Sequence, residues 1–370
     1  MGAVRNEDVL KALATVQDPD LNRDLVSLGM IEDVAVSDGT VGFTLVLTTA
    51  ACPVRGELED QCRAAVLAIP GVREVALKTI SRMRKPKDPS ADRRALPGVA
   101  QVIAIGSGKG GVGKSTVSAN LAVALAATGA RVGLLDGDIY GPNLPRMLGV
   151  NRQPSQRDGK ILPVEAWGIR FMSMGLLVEA GEAVVWRGPM LHGAIKSFLH
   201  DVNWGELDYL LVDLPPGTGD VQLSLIQQTF VAGAVVVTTP STVAIEDAVK
   251  AVAMFGKLSV PVLGVIENMS FFVCPTCGSR HDIFNHGTGE ERALAMGLPF
   301  LGAVPLHAEV RSAGDGGKPV VLSHPDTDHG RAFTRIAGVL AQRISIQTVN
   351  QEIDADADAT LLIAKRQPAP

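Results

Sequence analysis

The stretch that most restricts what this chain can fold into runs from Val102 to Thr116. An apolar segment, Val102-Ile103-Ala104-Ile105, ends in Gly106-Ser107-Gly108-Lys109-Gly110-Gly111-Val112-Gly113-Lys114-Ser115-Thr116. The residues after it, Val117 to Leu125, have helical spacing. Strand, glycine-rich loop and helix in that order make a cradle for phosphate. Gly108, Gly113, Lys114 and Ser115 fill the pattern G-x-x-x-x-G-K-[ST], in which residues without Cβ let successive backbone N–H groups turn onto phosphate oxygens. The helix adds its unpaired N–H groups and the positive end of its dipole. In such a cradle Gly108, Lys109, Gly110, Gly111, Val112, Gly113, Lys114, Ser115 and Thr116 surround the nucleotide. Lys114 neutralises the β- and γ-phosphates, and the Ser115 hydroxyl ligates Mg²⁺. A competing pattern, G-x-G-x-x-G through Gly106, Gly108 and Gly111 with Asp136 ending the next strand, would suit a dinucleotide. It leaves Lys114 and Ser115 without a purpose.

Composition narrows the class. With 370 residues, 46% hydrophobic and 20% charged, the chain can bury a large domain and a small one. A net charge of −5 gives no general attraction to nucleic acid, and 4% aromatic content offers few platforms for stacking bases. No basic-then-apolar leader and no apolar run near the ~18 residues of a membrane span are present, so a cytoplasmic protein with neither a membrane nor a nucleic acid as partner is expected. Four cysteines, two of them only two residues apart, suit reduced thiols available to a metal rather than a disulfide framework.

Residues 1–80 read as a small α+β domain of order α-β-β-α-β. A helix over residues 5 to 16 is followed by strands Ile31 to Ser37 and Val41 to Leu47 around the hairpin signal Asp38-Gly39. A helix from Pro53 to Ile69 and a strand from Val72 to Ile80 complete it. Cys62 falls on the apolar face of its helix as a packing residue. Cys52, just ahead of a helix N-terminus, should have its thiolate favoured by the dipole; a reactive or ligand role stands beside plain helix capping. Residues 81–98, with three prolines and mixed charge, read as a linker.

From residue 99 apolar strands alternate with amphipathic helices. Val102–Ile105, Val132–Leu135, Tyr209–Val212, Ala234–Val237, Val262–Ile266 and Phe300–Val304 are continuous apolar runs, as in a parallel sheet covered by helices on both faces. An ATPase domain over 99–347 is expected, closed by a helix from Arg331 to Ile346, with a disordered acidic tail over 348–370. Ligands in such sheets gather at the carboxyl ends of the strands. Asp136-Gly137-Asp138 follows the second strand, and two carboxylates so spaced can hold a metal's water with one and orient the attacking water with the other, although a capped turn also satisfies Asp-Gly. Asp213 ends Tyr209-Leu210-Leu211-Val212 and suits the Mg²⁺ shell, and the loop Pro215-Pro216-Gly217-Thr218-Gly219-Asp220 can sense a γ-phosphate through Gly217. Loop, lysine and two strand-end carboxylates together specify a nucleoside triphosphatase.

Two further features lie outside that scheme. Lys109 is a second lysine at the start of the loop, where one suffices; the plain account is a solvated charge. Cys274-Pro275-Thr276-Cys277 can ligate one soft metal centre, but tetrahedral zinc and a [4Fe–4S] cluster each take four ligands. His281 and His286 could complete zinc within one chain, at a shorter gap than zinc fingers use. Alternatively a two-fold axis brings two cysteine pairs together around one cluster.

The paired lysines resemble the deviant P-loop of the ParA, MinD and nitrogenase iron-protein superfamily. That resemblance implies a P-loop NTPase fold and a homodimer in which Lys109 reaches the partner's phosphates, much as an arginine finger acts in trans. Residues 99 to about 345 resemble more closely the Mrp-type (ApbC-like) iron–sulfur cluster carrier ATPases, through the loop, the cysteine pair, Trp186-Arg187-Gly188-Pro189-Met190, Trp204-Gly205-Glu206-Leu207-Asp208-Tyr209 and the Pro215–Asp220 loop. Asp18-Pro19-Asp20, Leu28-Gly29-Met30-Ile31 and Thr48-Thr49-Ala50-Ala51-Cys52-Pro53 make the first domain similar to SufT-like and PaaD-like iron–sulfur assembly domains. The resemblance implies ATP as substrate and Asn268 at the adenine edge. It also implies a [4Fe–4S] cluster held by Cys274 and Cys277 at a dimer interface, accepted from an assembly scaffold and passed to apo-proteins with slow hydrolysis. A partitioning or positioning ATPase of the ParA/MinD kind is the alternative, but it has no use for the cysteine pair. A reductase like the nitrogenase iron protein has its cluster cysteines far apart in sequence.

Overall fold

The computed structural model describes residues 4–84, 95–139, 141–177, 188–274, 276–284 and 287–366. Trp186, Arg187 and His286 therefore lie outside the described residues, as does most of the expected linker. The chain divides into two compact units, Met1–Lys85 with Ala341–Pro370, and Pro86–Leu340.

In the first unit, helix α1 (Asn6–Leu13) precedes a hairpin of β1 (Ile31–Ser37) and β2 (Thr40–Leu47). Its two turn residues, Asp38 at φ 48° and Gly39 at φ 80°, both take the left-handed conformation that a two-residue hairpin of this twist demands. Helix α2 (Arg55–Leu67) carries the chain to β3 (Glu74–Ser81), which runs parallel to β2. Val9, Leu13, Val41, Phe43, Leu58 and Val66 form the core, and Cys62 packs among them with its thiol pushed up to about 11 by burial. Cys52 departs from expectation. Burial raises its thiol above the ordinary value, and the Asp18 and Asp20 carboxylates add to that. The helix begins only at Arg55, so dipole stabilisation of a Cys52 thiolate is outweighed.

The second unit is built on an eight-stranded sheet. Its strands are β4 (Val99–Gly106), β5 (Val132–Asp136), β6 (Val164–Ala166), β7 (Ile169–Ser173), β8 (Leu207–Asp213), β9 (Gly233–Thr238), β10 (Val262–Glu267) and β11 (Phe300–Ala303). Across the sheet they stand in the order β6-β7-β5-β8-β4-β9-β10-β11, all parallel except β6. The strand that feeds the glycine-rich loop is thus interior, flanked by β8 and β9, and is buried on both faces as its apolar run demands. Six of the eight strands coincide with the apolar runs. β6 and β7 do not, because Glu165 and Arg170 interrupt the apolar pattern near the sheet edge, and the turn between them is Trp167-Gly168.

Helix α3 (Lys114–Ala127) leaves the loop. The Trp204–Tyr209 motif proves to be packing: Trp204 and Tyr209 are buried, and Asp208 pairs with Arg131 at 2.7 Å, tying the starts of two neighbouring strands. The closing helix is longer than its apolar spacing predicts. It runs from Asp328 to Arg366, through the stretch expected as a frayed tail. Val349 on this helix is buried in the core of the first unit, and Arg84 pairs with Glu352 at 2.7 Å. Tertiary burial, rather than the local pattern, holds residues 341–352 helical.

Candidate functional site

Gly111 at φ 82° and Gly113 at φ 80° give the loop its inward turns. Gly108 has a different reason to lack a side chain: a Cβ there would lie 2.1 Å from the backbone carbonyl of Asp247. At Gly113 a Cβ would meet the Asn268 amide nitrogen at 2.2 Å. That amide donates to the Val112 carbonyl at 2.9 Å, so Asn268, 5% exposed, sits beneath the loop and props it. Resemblance gave Asn268 only an adenine contact; the loop-supporting bond is an addition that depends on β10 and the loop meeting.

Asp213 organises the charges. Its Oδ2 accepts from the Ser115 hydroxyl at 2.6 Å and lies 2.7 Å from Lys114 Nζ. Its Oδ1 accepts from Ser118 at 2.6 Å. Lys114 is 6% exposed and Asp213 fully buried, so the pair stands in a low-dielectric site where each charge needs the other. The loop, α3 and the end of β8 are thereby joined before any nucleotide enters. Ser118 was not apparent as a site residue from the sequence. Its place one helical turn after Lys114 was the available signal.

The neighbouring strand end adds two carboxyls. Asp136 lies opposite Asp213 in the sheet register, and burial, followed by the Asp213 charge, pushes its carboxyl up to about 8. It accepts from Ser173 at 3.0 Å and from the Asp138 backbone N–H at 3.1 Å, so Ser173 joins the site, where sequence analysis had given a role only to the two carboxyls. Asp138 is half-buried, and desolvation raises its carboxyl too. It lines a cleft with Lys109 through Thr116, Asn143 and Pro216. Gly217, at φ 90°, donates to the Ser107 carbonyl at 2.9 Å, and Gln222 clasps the Pro215 and Gly217 carbonyls at 2.9 Å each. The Lys109 ammonium makes no ion pair among the described residues, unlike Lys114.

The cysteine pair lies elsewhere in the same unit. Two short strands, Phe272–Val273 and Arg280–His281, form a hairpin with Cys274 and Cys277 at its tip. Cys274 N–H donates to Ser279 O at 2.9 Å, and Gly278 N–H donates back to Cys274 O at 2.8 Å, which closes the turn that carries the two thiols. Cys274 is half-buried and Cys277 exposed. The Ser279 hydroxyl, 2.9 Å from the Cys277 sulfur, is the main influence holding that thiol below its ordinary value. His281 Nε2 is engaged with the Ser279 hydroxyl at 3.0 Å. Among the described residues, no third histidine, cysteine or carboxylate converges with the two sulfurs. The two thiols could supply two of the four ligands that a tetrahedral metal takes.

Residues 98–341 match the family model "NUBPL iron-transfer P-loop NTPase", and residues 6–77 match "Iron-sulfur cluster assembly protein". The chain is 53% identical over 94% of its length to an iron-sulfur cluster carrier protein of Deinococcus radiodurans, covering 97% of that protein. It is 43% identical over 92% of its length to the protein of that name from Escherichia coli K12, covering 91% of it. Among solved structures, a nucleotide-binding protein of Archaeoglobus fulgidus in complex with ADP shares 37% identity at TM-score 0.55, over 64% of this chain and 93% of the other. The cell division ATPase MinD of Pyrococcus furiosus follows at 25% and 0.50, over 65% and 97%. Kinship over nearly the whole length, with the loop, both strand-end carboxylates and the cysteine pair inside the matched region, makes this chain a member of the iron-transfer P-loop NTPase family, with an iron–sulfur cluster assembly domain ahead of the ATPase.

Proposed function

We propose that the protein is a homodimeric carrier that holds a [4Fe–4S] cluster between two copies of the chain and hands it to apo-proteins, with ATP binding and slow hydrolysis timing the handover. The observation that carries this reading is the incomplete thiol site: two cysteines at an exposed hairpin tip, with no third ligand nearby in the described chain. Two such tips related by a two-fold axis supply the four thiolates that a [4Fe–4S] cluster takes. The relatives' printed name, iron-sulfur cluster carrier protein, supports the same cargo.

The nucleotide side follows from the loop. The donors present, a hydroxyl and a carboxylate 2.6 Å apart, are the hard oxygen ligands Mg²⁺ prefers, so Ser115 and Asp213 fit that ion. When bound, the ion offsets the charge of the β- and γ-phosphates. Lys114 moves from Asp213 to the phosphates, and the Gly108–Thr116 backbone cradles them. Asp138 orients the attacking water, Gly217 moves with the γ-phosphate, and Asn268 lies close enough to the loop to read the adenine edge. Lys109 enters the partner subunit's site. Donors and recipients are a cluster-assembly scaffold and apo iron–sulfur proteins in the cytoplasm, with neither nucleic acid nor membrane involved. No helix among the described residues is long and apolar enough to cross a membrane.

Anaerobic reconstitution with iron and sulfide tests the cargo. The wild type is expected to take up one [4Fe–4S] cluster per dimer, read from visible absorption and iron content, and Cys274→Ala with Cys277→Ala none. A full cluster in the double variant, or one zinc per chain in the wild type, would overturn the reading.

A further inference from the structure

We infer that His307, Glu309 and His329 form a binding site for one divalent first-row transition-metal ion, separate from both the nucleotide cleft and the cysteine hairpin. The three side chains come from two segments of the ATPase unit. His307 and Glu309 stand at the start of the helix Ala308–Asp315, and His329 lies in the first turn of the helix Asp328–Arg366. Their donor atoms all lie within 4.8 Å of one another, the single such group among the described residues. Glu309 Oε2 is 3.1 Å from His329 Nε2 and 3.6 Å from His307 Nδ1. Donors bound at about 2.0–2.1 Å around one tetrahedral ion stand about 3.3 Å apart, so these separations need only small adjustment.

A carboxylate bracing two imidazoles would give a similar outline, but two details favour an ion. The His329 side chain is 5% exposed, and its buried Nε2 lies 3.1 Å from Glu309 Oε2 without a well-directed hydrogen bond. A buried ring nitrogen so placed gains from a better-directed partner. His307 Nδ1 accepts the Glu309 backbone N–H at 3.2 Å, so it is unprotonated, and an ion would take over the lone pair that this bond now uses. The two rings stack with centroids 4.5 Å apart, an arrangement two cationic imidazoliums would resist. Two imidazoles and a carboxylate suit zinc, iron(II) or cobalt(II) and leave a coordination position for water. The segment that enters the site is fastened to the cysteine hairpin: Leu306 N–H donates to Phe271 O at 2.7 Å and bridges Phe272.

The full chain, tag-free, metal-stripped and carrying Cys274→Ala with Cys277→Ala, isolates this site from the thiols whatever the fate of the carrier reading. Titration with Co²⁺ under argon is expected to show visible d–d bands saturating at one ion per chain, displaced by Zn²⁺. Glu309→Gln, at a partly exposed position, and His329→Ala are each expected to weaken binding by at least about 100-fold, since even outer-shell partners of a metal are worth 10- to 100-fold. Co²⁺ should raise the melting temperature of the parent and not of Glu309→Gln. Absence of stoichiometric d–d absorption, or equal affinity in Glu309→Gln, would overturn the site.

Discussion

The phosphate loop and the cysteine hairpin differ in how much of each site one copy of the chain completes. Around the loop, Lys114, Ser115 and Ser118 at the start of α3 converge on a fully buried Asp213, and the glycines leave no room for a Cβ at Gly108 or Gly113. At the hairpin, one thiol is half-buried and the other exposed, with a serine hydroxyl 2.9 Å from the Cys277 sulfur. A buried site must satisfy every charge within the fold, because an unpaired one is costly. An exposed half-site can wait for its remaining ligands, which suits cargo that must come and go. Lys109 belongs with the hairpin in this respect: it lies in the loop, yet is not tied into the loop's charge network.

That contrast can be tested at four levels. The largest effect is expected in turnover. Lys114→Ala should abolish phosphate release, and Lys109→Ala should lower it by about 10³-fold while nucleotide affinity, read by calorimetry, changes less than about tenfold, as for a cation supplied in trans. Unchanged turnover in Lys109→Ala would return that lysine to a solvated charge. Next is stability at the buried pair. Asp213→Ala strands the Lys114 ammonium and should cost about 3–5 kcal/mol in denaturant unfolding; a loss under about 1 kcal/mol would mean that the pair is solvated in the working protein.

A smaller effect concerns Asp136. Its folded carboxyl titrates near 8, against an ordinary value of 3.8, so between those values the folded chain holds a proton that the unfolded chain has released. Its contribution to stability is therefore fully present below about pH 4 and is lost as pH rises towards 8, at about 1.4 kcal/mol per pH unit. Wild type should weaken relative to Asp136→Asn across that window in paired urea titrations. Parallel curves would show the carboxyl ionised in the fold. The smallest effect is at the hairpin: Cys274→Ala with Cys277→Ala should shift unfolding of the cluster-free chain by no more than about 0.5 kcal/mol. A larger loss would mean that the thiols also hold the fold.

Much of the architecture was legible because its causes are local. A both-faces-buried strand must be apolar throughout, a left-handed turn selects Asp38-Gly39, and a phosphate cradle needs glycines and a lysine at set spacings. β6 escaped notice because an edge strand tolerates charge, and β7, next to it, because Arg170 breaks its apolar run. Residues beyond 347 read as a tail because the apolar pattern weakens there, although Val349 is buried in a core formed by residues more than 280 positions earlier. Cys52 shows the reverse failure: nearness to a helix start in sequence did not reveal the burial that raises its thiol.

The residues of the chain determined by themselves that this protein has a phosphate loop at the end of an apolar strand, carboxylates at the ends of two more, and a paired-cysteine turn. Those are matters of spacing along a few residues. Only the tertiary structure decided that Ser118 and Lys114 share Asp213, that Asp136 is held protonated opposite it, that Asn268 props the loop, and that His307 and His329 face one carboxylate. Each of these depends on strand register or helix packing between segments that are distant along the chain, and on the low dielectric that burial creates around them.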